Sequence, residues 1–324
     1  MIKSRNSTLD SIRAIAVLLI VTIHAQFPGF VGSFLLVFAR CAVPFFLILS
    51  GYFSNFYTDY SAKTKKQVKR FVKAFLLSSL VYLIINLLIH VFNCSMTVYL
   101  NSIENPRVWI NLLVFNYANP ILGVSHLWYL LCIIYVLVFT MLVEKKKAWN
   151  NLLCVSVGLT VILYVMELLQ RFDVVFIPTM FYRNFLFEGI PLFVFGRYTK
   201  KTVKKITDRH LILLMIACVL AFVLEVVFLG TEIELYICSI ITAWTVLLFG
   251  IKHPERIIFL SKIGCNLSFN IYLFHYVFII VFNKTISNQS LAMLWIRPVL
   301  VIILSIVMSQ LLYFVKTTVK SKHS

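Results

Sequence analysis

Three ionisable side chains interrupt an otherwise apolar stretch near the start of the chain, STLDSIRAIAVLLIVTIHAQF, residues 7–27. In a helix, Arg13 and His24 would share one face and lie about 16 Å apart along the axis. Asp10 stands three residues before Arg13 and is spaced to pair with it. A guanidinium binds phosphate well, and an imidazole accepts a proton near neutral pH. The stretch therefore combines an anion-binding group and a candidate general base on one helix.

A charged side chain at bilayer depth costs about 2.5–3.5 kcal/mol, so each of these groups needs a physical reason. In one interpretation, Asp10 and Arg13 anchor the helix start at the interface and His24 lies near the outer headgroups. In the other, the stripe lines a cavity or a packed polar core, because it cannot face lipid. From this stretch alone, both interpretations stay open.

Further ionisable groups interrupt other apolar stretches. They are Arg40 in FARCAVPFFLILSGYF, His126 in SHLWYLL, Arg183 and Glu188 in FYRNFLFEGIPLFVFG, and His275 in NIYLFHYVFI. Each alone is typical of a structural hydrogen-bonding residue, but together they favour a shared polar chamber. None has the ligand spacing of a metal site, so we expect no metal.

The elements that must position these groups are membrane helices. Of 324 residues, 61% are hydrophobic and 13% charged, whereas soluble domains are nearer half apolar and a quarter charged. Long apolar runs, in place of short alternating segments, argue against a membrane β-barrel. We predict an all-α polytopic membrane protein with about ten transmembrane helices. Their predicted spans are 9–27, 33–56, 71–93, 124–143, 151–169, 180–198, 210–229, 233–250, 264–282 and 293–315.

The connections between the predicted spans are alternately poor and rich in lysine and arginine. The odd-numbered connections carry only Arg107, Arg171 and Lys284, whereas the even-numbered ones carry basic runs such as KTKKQVKRFVK. This is the positive-inside pattern, and it predicts that both termini are cytoplasmic. It also assigns the net charge of +18 to topology and anionic-lipid contact and not to nucleic-acid binding. In this topology the outer half of the bilayer holds His24, Arg40, His126, Arg183 and His275.

The rest of the chain offers no further domain. We expect residues 1–324 to form a single integral membrane domain without an appended soluble domain. The first apolar run is too long for a cleaved signal peptide, and no small-residue cleavage site follows it. The longest outer connection, near 94–123, contains RVWINLLVF, which predicts a short interfacial helix.

The motifs around these residues resemble those of the acyltransferase-3 family of integral membrane acyltransferases. LDSIRAIAVLLIVTIHA is similar to the family's first-helix signature, whose most specific mark is the spacing from Arg13 to His24. VPFFLILSGYF, HLWYL, IPLFVFGRY and IYLFHYVF resemble motifs of its second, fourth and later helices. The resemblance covers most of the chain and includes the ten-helix count.

The resemblance implies transfer of an acyl group, usually acetyl from acetyl-CoA, to a hydroxyl of an envelope glycan or a lipid-linked sugar. It implies a bacterial cytoplasmic membrane and no permanently bound cofactor. The phosphates of the cytoplasmic donor would bind near Arg13, Arg70 and Lys73. The distance of about 16 Å along the first helix suits the pantetheine arm, which would bring the thioester to His24.

His24 then has two candidate roles, general base toward the acceptor hydroxyl or transient acyl carrier. We favour the general base, although the sequence does not separate the two. Asp10, as the partner of Arg13, and His126 complete the expected catalytic set. His126, Arg40 or Arg183 would stabilise the oxyanion of the thioester. The substrate chamber is expected to contain Arg40, Arg183, Glu188 and His275.

The chain departs from the family pattern in two places. The family's Arg-x-x-Arg pair followed by proline is here Arg70-x-x-Lys73, with Leu77 where proline is often found. Lysine keeps the charge but lacks the bidentate fork that binds phosphate. Some members carry a glutamate in the fourth-helix motif or an appended esterase-like domain, and this chain has neither.

Two other functions fit ten helices with a polar midplane. A transporter or flippase of a lipid-linked glycan would more typically show an internal repeat and paired broken helices, and it would neither bind acetyl-CoA nor release CoA. A non-catalytic membrane scaffold would tolerate the joint loss of Arg13 and His24.

Overall fold

The computed structural model describes residues 5–117, 121–231, 233–285 and 290–321, so the predicted cytoplasmic termini, 1–4 and 322–324, lie outside the described residues. The chain is 81% helical, and no strand occurs within the described ranges, which confirms the all-α class. The α-helices are α1 (Ser7–His24), α2 (Gly29–Ala39), α3 (Ala42–Ser54), α4 (Tyr60–Phe92), α5 (Met96–Glu104), α6 (Pro106–Phe115), α7 (Trp128–Lys145), α8 (Trp149–Arg171), α9 (Ile190–Val203), α10 (Asp208–Leu229), α11 (Ile237–Lys252), α12 (Ser261–Asn266), α13 (Ser268–Thr285) and α14 (Leu291–Ser321).

Seven helical segments among the described residues are long and apolar enough to cross a membrane. They are α1, the combined α2–α3 segment, α4, α7, α8, α10 and α14. The other three predicted spans overlap α9, α11 and α13. The protein is therefore polytopic, and the crossing of the membrane by these three helices stays a prediction.

The helices pack as two units. The first comprises residues 1–46 and 201–324, and the second comprises residues 47–200. The unit boundaries fall within α3 and α9. The single membrane domain over residues 1–324 stays a prediction.

Helix α1 lies at the core of the first unit, where it contacts α2, α11, α12, α13 and α14. Two glycines permit the closest of these approaches. A Cβ on Gly264 of α12 would collide with the backbone carbonyl of Asp10, and one on Gly250 of α11 would collide with the side chains of Leu9 and Ile12. Only residues without a Cβ let these helices approach α1 so closely.

The start of α1 is bonded to the connection between α11 and α12. Asn6 caps α1 by accepting a hydrogen bond from the Leu9 amide, and its side-chain amide donates to the Gly250 carbonyl, both at 2.8 Å. The Thr8 amide donates to the carbonyl of Pro254 at 3.0 Å. The charge pattern assigns these chain segments to the cytoplasmic side. Their contacts agree with an assignment of all of them to the same side.

The second predicted span, 33–56, is two helices and not one. The helix breaks at Arg40–Cys41, between α2 and α3. Pro44 lies in the first turn of α3 and has no amide hydrogen to donate to the Arg40 carbonyl. The break places Arg40 at a helix end.

The third predicted span, 71–93, is too short. Helix α4 begins at Tyr60 and has 33 residues, about 50 Å of helix. Asp59 caps it by accepting a hydrogen bond from the Ala62 amide at 2.9 Å. Its basic first turns are helical because lysine and arginine are good helix formers. Arg70 and Lys73 therefore lie in the interior of a helix and not at its start.

The sixth and ninth predicted spans, 180–198 and 264–282, are also interrupted. In the sixth, the π-helix Phe185–Gly189 precedes α9, where Pro191 cannot donate the next backbone hydrogen bond. In the ninth, Leu267 separates α12 from α13. The helix predicted at RVWINLLVF is confirmed as α6, whereas its place at the membrane interface stays a prediction.

We predict that Gly264→Ala lowers the free energy of unfolding by about 1–3 kcal/mol, because the new Cβ would overlap the Asp10 carbonyl and backbone must shift. Thermal unfolding of the purified protein in detergent measures the change. Gly158→Ala on α8 is the matched control, since a Cβ there meets no atom within 4 Å. Its stability should stay equal or rise by up to about 1 kcal/mol. Equal melting temperatures for the two variants would contradict the packing role of Gly264.

Candidate active site

The charged end of α1 is built around the buried carboxylate of Asp10. Arg13 donates to it through Nη1 at 3.2 Å, so the predicted ion pair is confirmed. Arg5 donates through Nε at 2.7 Å, and this hydrogen bond raises the pKa of the Arg5 guanidinium above its ordinary value. Arg5 also donates to the carbonyl of Ser261 at 2.9 Å. Two guanidiniums thus share one carboxylate, which leaves net positive charge at this end.

The Arg5 contact was not predicted, because Arg5 precedes the helix and lies outside the three- or four-residue spacing of helical pairs. The Arg13 side chain keeps 34% of its surface exposed, so the group remains accessible to a ligand. Asp10 lies about 21 Å along α1 from His24. The structure places it beside the two arginines and not beside the imidazole, so its catalytic role stays a prediction.

The opposite end of α1 brings His24 together with α13. The ring centroids of His24 and His275 are 5.4 Å apart, and the Tyr276 ring stands edge-on to His24 at 5.3 Å. His24 is half-buried, whereas His275 is fully buried. The prediction that these two histidines share one region is met by this contact.

The hydrogen bonds of His275 fix its tautomer. Its Nδ1 lies 2.9 Å from the Tyr272 carbonyl and 3.1 Å from the Ile271 carbonyl. Because both neighbours only accept hydrogen bonds, we assign the hydrogen to Nδ1 and the lone pair to Nε2. The ring is held in a fixed orientation next to the more accessible His24, an arrangement suited to proton transfer at His24.

Arg40 is held by a carboxylate that the sequence did not indicate. Its Nη1 lies 2.5 Å from Oε2 of Glu234, in the connection between α10 and α11. The Arg40 side chain is only 9% exposed, against 29% for Glu234. The buried Nε of Arg40 has no hydrogen-bond partner among the described residues. Arg40 therefore has a structural role as half of an ion pair, and its role toward substrate stays a prediction.

In the second unit, the predicted residues His126 and Arg183 each pack against an aromatic ring. His126 is buried just before α7, and its ring stands edge-on to that of Tyr82 at 5.1 Å. The guanidinium carbon of Arg183 lies 5.4 Å from the centre of the Trp128 ring, within cation–π range. Glu188 is buried in the π-helix, a type of segment often found at functional sites.

The predicted donor-binding residues of the second unit lie in the first half of α4, on the predicted cytoplasmic side. Arg70 and Lys73 are both exposed. Lys63 and Lys66 precede them at helical spacing and are also exposed, so one face of α4 is cationic. The exposed face carries charge suited to phosphate.

Arg197, near the end of the sixth predicted span, is packed among side chains of the second unit. Its guanidinium lies 3.9 Å from the centre of the Trp149 ring and 5.1 Å from that of Tyr60. Its Nη2 donates to Glu144 at 3.1 Å, and Nη1 donates to Ser54 at 3.3 Å. No local spacing relates these residues, so sequence patterns could not reveal the cluster.

The fold and the polar groups of α1 define a multi-pass helical membrane protein with cations at one end of a buried helix and a histidine pair at the other. A family model described as an acyltransferase domain matches residues 6–314. The chain belongs to the acyltransferase-3 family and is a membrane acyltransferase, as the motifs predict. No curated protein and no solved structure matches the chain.

We predict strong coupling between Arg40 and Glu234. Arg40→Gln and Glu234→Gln should each lower the free energy of unfolding. The loss in the double variant should be smaller than the sum of the two single losses by about 1 kcal/mol or more. The reason is that either single change leaves the other group of a largely buried pair without its partner. Denaturant titration in detergent measures the cycle.

The pair Lys252–Asp208 is the matched control, since the Asp208 side chain is 59% exposed. Its coupling should stay below about 1 kcal/mol, as is usual for exposed pairs. Strictly additive effects at Arg40 and Glu234 would contradict the buried ion pair.

Proposed function

We propose that the protein transfers an acyl group, acetyl in the simplest case, from cytoplasmic acyl-CoA to a hydroxyl of an envelope glycan or lipid-linked sugar at the bacterial cytoplasmic membrane. One observation carries this proposal. The unbroken helix α1 presents Arg13 at one end and His24 at the other, about 16 Å apart. That separation is of the order of the pantetheine arm, which connects the phosphates of the donor to its thioester.

The cationic end of α1 is proposed to bind the phosphates of the donor. Arg5 and Arg13 carry two positive charges against the single carboxylate of Asp10. Guanidiniums form charge-assisted, bidentate hydrogen bonds with phosphate. Arg70 and Lys73, on the exposed cationic face of α4, are further candidates for phosphate binding on the predicted cytoplasmic side.

The histidine end is proposed to perform the transfer. The imidazole of His24 takes the proton of the acceptor hydroxyl while the hydroxyl oxygen attacks the thioester carbonyl carbon. The carbon–sulfur bond of the tetrahedral intermediate then breaks, and the imidazolium returns its proton to the sulfur of CoA. In the alternative, a His24 nitrogen attacks the thioester carbonyl carbon and CoA leaves as its thiolate. The acceptor hydroxyl then attacks the acyl-imidazole, the carbon–nitrogen bond to His24 breaks, and the hydroxyl proton passes to the thiolate. Both routes need a neutral His24, and the fixed ring of His275 supports its position.

The oxyanion of the intermediate needs hydrogen-bond donors. Arg40, His126 and Arg183 remain the proposed candidates. The candidacy of Arg183 is supported by its partial exposure and by its guanidinium, which lies over the ring of Trp128. Glu188, in the second unit, and His275, in the first, stay candidates for binding the acceptor.

We predict that His24→Ala lowers the rate of CoA release by about 10²–10⁴-fold, the range for loss of a general acid–base group. The affinity for acetyl-CoA should change little, because His24 lies far from the phosphates. Turnover is measured in nanodiscs with envelope extract as acceptor. His210→Ala, at an exposed histidine at the start of α10, should keep wild-type turnover. Near-normal release by folded His24→Ala would overturn both mechanisms.

We predict that Arg13→Ala weakens acetyl-CoA binding about tenfold or more, through loss of a charge-assisted hydrogen bond to phosphate. Arg5 still neutralises Asp10 in this variant, so the fold should persist. Arg13→Lys should lose less affinity for acetyl-CoA, since lysine keeps the positive charge but lacks the bidentate donors of the guanidinium. Arg209→Ala, at an exposed cation of the same predicted side, is the control. Unchanged affinity in Arg13→Ala would reject the donor assignment.

A further inference from the structure

Arg297 is a charged residue inside a membrane-spanning helix that the mechanism above does not use. It lies six residues into α14, within the apolar stretch LAMLWIRPVLVIILSIVMSQ. The helix rises about 1.5 Å per residue, so Arg297 is about 9 Å from the helix start. A guanidinium at such a position is costly and is by default a functional candidate.

Arg297 lacks a protein carboxylate of the kind that pairs with Arg5, Arg13 and Arg40 in the first unit. Those three arginines pair with Asp10 or Glu234. Across the described parts of the chain, no ion pair includes Arg297, and its buried Nε has no hydrogen-bond partner. The Arg297 side chain is half-buried, so within an apolar helix its charge can be compensated by an anion from outside the chain.

The backbone beside Arg297 is also irregular. Pro298 lies inside α14 and has no amide hydrogen, so it cannot donate to the carbonyl of Leu294. This carbonyl and the guanidinium belong to the same turn of the helix. Backbone groups released in this way within membranes are tolerated where they are buried in protein or line a cavity. The turn therefore offers both a cationic donor and a backbone acceptor.

Arg297 and His24 both lie close in sequence to one aromatic contact. The rings of Trp295 and Phe27 are in contact, with centroids 6.0 Å apart, so α14 begins beside the end of α1. From this contact, Arg297 is two residues further along α14, about 3 Å of helix. His24, the last residue of α1, is three residues before Phe27. Both belong to the first unit.

We propose that Arg297 binds the phosphate of a membrane-embedded lipid at the outer side of the first unit. A guanidinium recognises phosphate through paired hydrogen bonds, and membrane lipids carry phosphate esters. The phosphate belongs either to an ordinary phospholipid headgroup or to a lipid-linked sugar. Its assignment to the acceptor rests on the proposed function, whereas the phosphate site itself does not.

The test is ligand binding in a phosphate-free maltoside detergent, with no acyl donor present. The probes are farnesyl phosphate, farnesol and dihexanoylphosphatidic acid, followed by tryptophan fluorescence, to which Trp295 contributes. Wild-type protein should bind farnesyl phosphate and show at least about tenfold weaker binding of farnesol. Arg297→Gln should lose this preference, and Arg297→Lys should keep part of it. Lys284→Gln, at an exposed cation at the end of α13, should behave as wild type.

The outcomes separate the two lipid sources. A tenfold preference for farnesyl phosphate over the phosphatidic acid assigns the site to a lipid-linked ligand, and equal binding assigns it to phospholipid headgroups. Binding that does not depend on the phosphate, or that is unchanged in Arg297→Gln, overturns the proposal. A thermal unfolding midpoint equal to that of the wild type shows that the variant is folded. Because the assay needs no acyl transfer, failure of CoA release would reject the proposed function and leave this site standing.

Discussion

The buried carboxylate of Asp10 is the constraint on which the first unit depends. Inside a helix bundle an ionised carboxylate is stable only when cations and hydrogen bonds offset its desolvation, and Arg5 and Arg13 supply both. Gly264 packs on the backbone of the same residue. Because α1 is continuous, its fixed start also fixes the position of His24. In the proposed mechanism the helix is a rigid spacer between the cations that bind phosphate and His24, which a flexible loop could not provide.

The features that could be predicted from the sequence are those whose partners lie within one helix. The Asp10–Arg13 pair follows from a three-residue spacing, and the shared face of Arg13 and His24 follows from helical periodicity. The pairing of Arg40 with Glu234 joins residues 194 positions apart, and no periodicity relates them. Only tertiary packing brings such partners together, so the sequence marked Arg40 as unusual without indicating what holds it.

Helix boundaries were predictable only where apolar composition and backbone geometry agree. Charged residues before position 71 are typical of a connection, yet they form helix because propensity and a capping aspartate favour it. Conversely, the apolar run around Pro44 is typical of one continuous helix. Proline removes a backbone hydrogen-bond donor, and the helix is interrupted at Arg40. Hydropathy describes what a segment can contact and does not describe which backbone hydrogen bonds it can make. This distinction explains why the class of the protein was predictable and the exact position of its polar residues was not.

The role of an arginine within a membrane helix depends on the anion that neutralises its charge. Arg40 has a protein carboxylate, so its charge stabilises a fixed arrangement of chain segments. Arg13 shares its carboxylate with a second guanidinium and keeps a third of its surface exposed, so it retains capacity for a ligand. Arg297 has no carboxylate within the described ranges, and its buried Nε has no partner there, which is why we propose a lipid phosphate as its anion. The three arginines therefore differ in how their charge is compensated, a distinction that composition and span counting do not make.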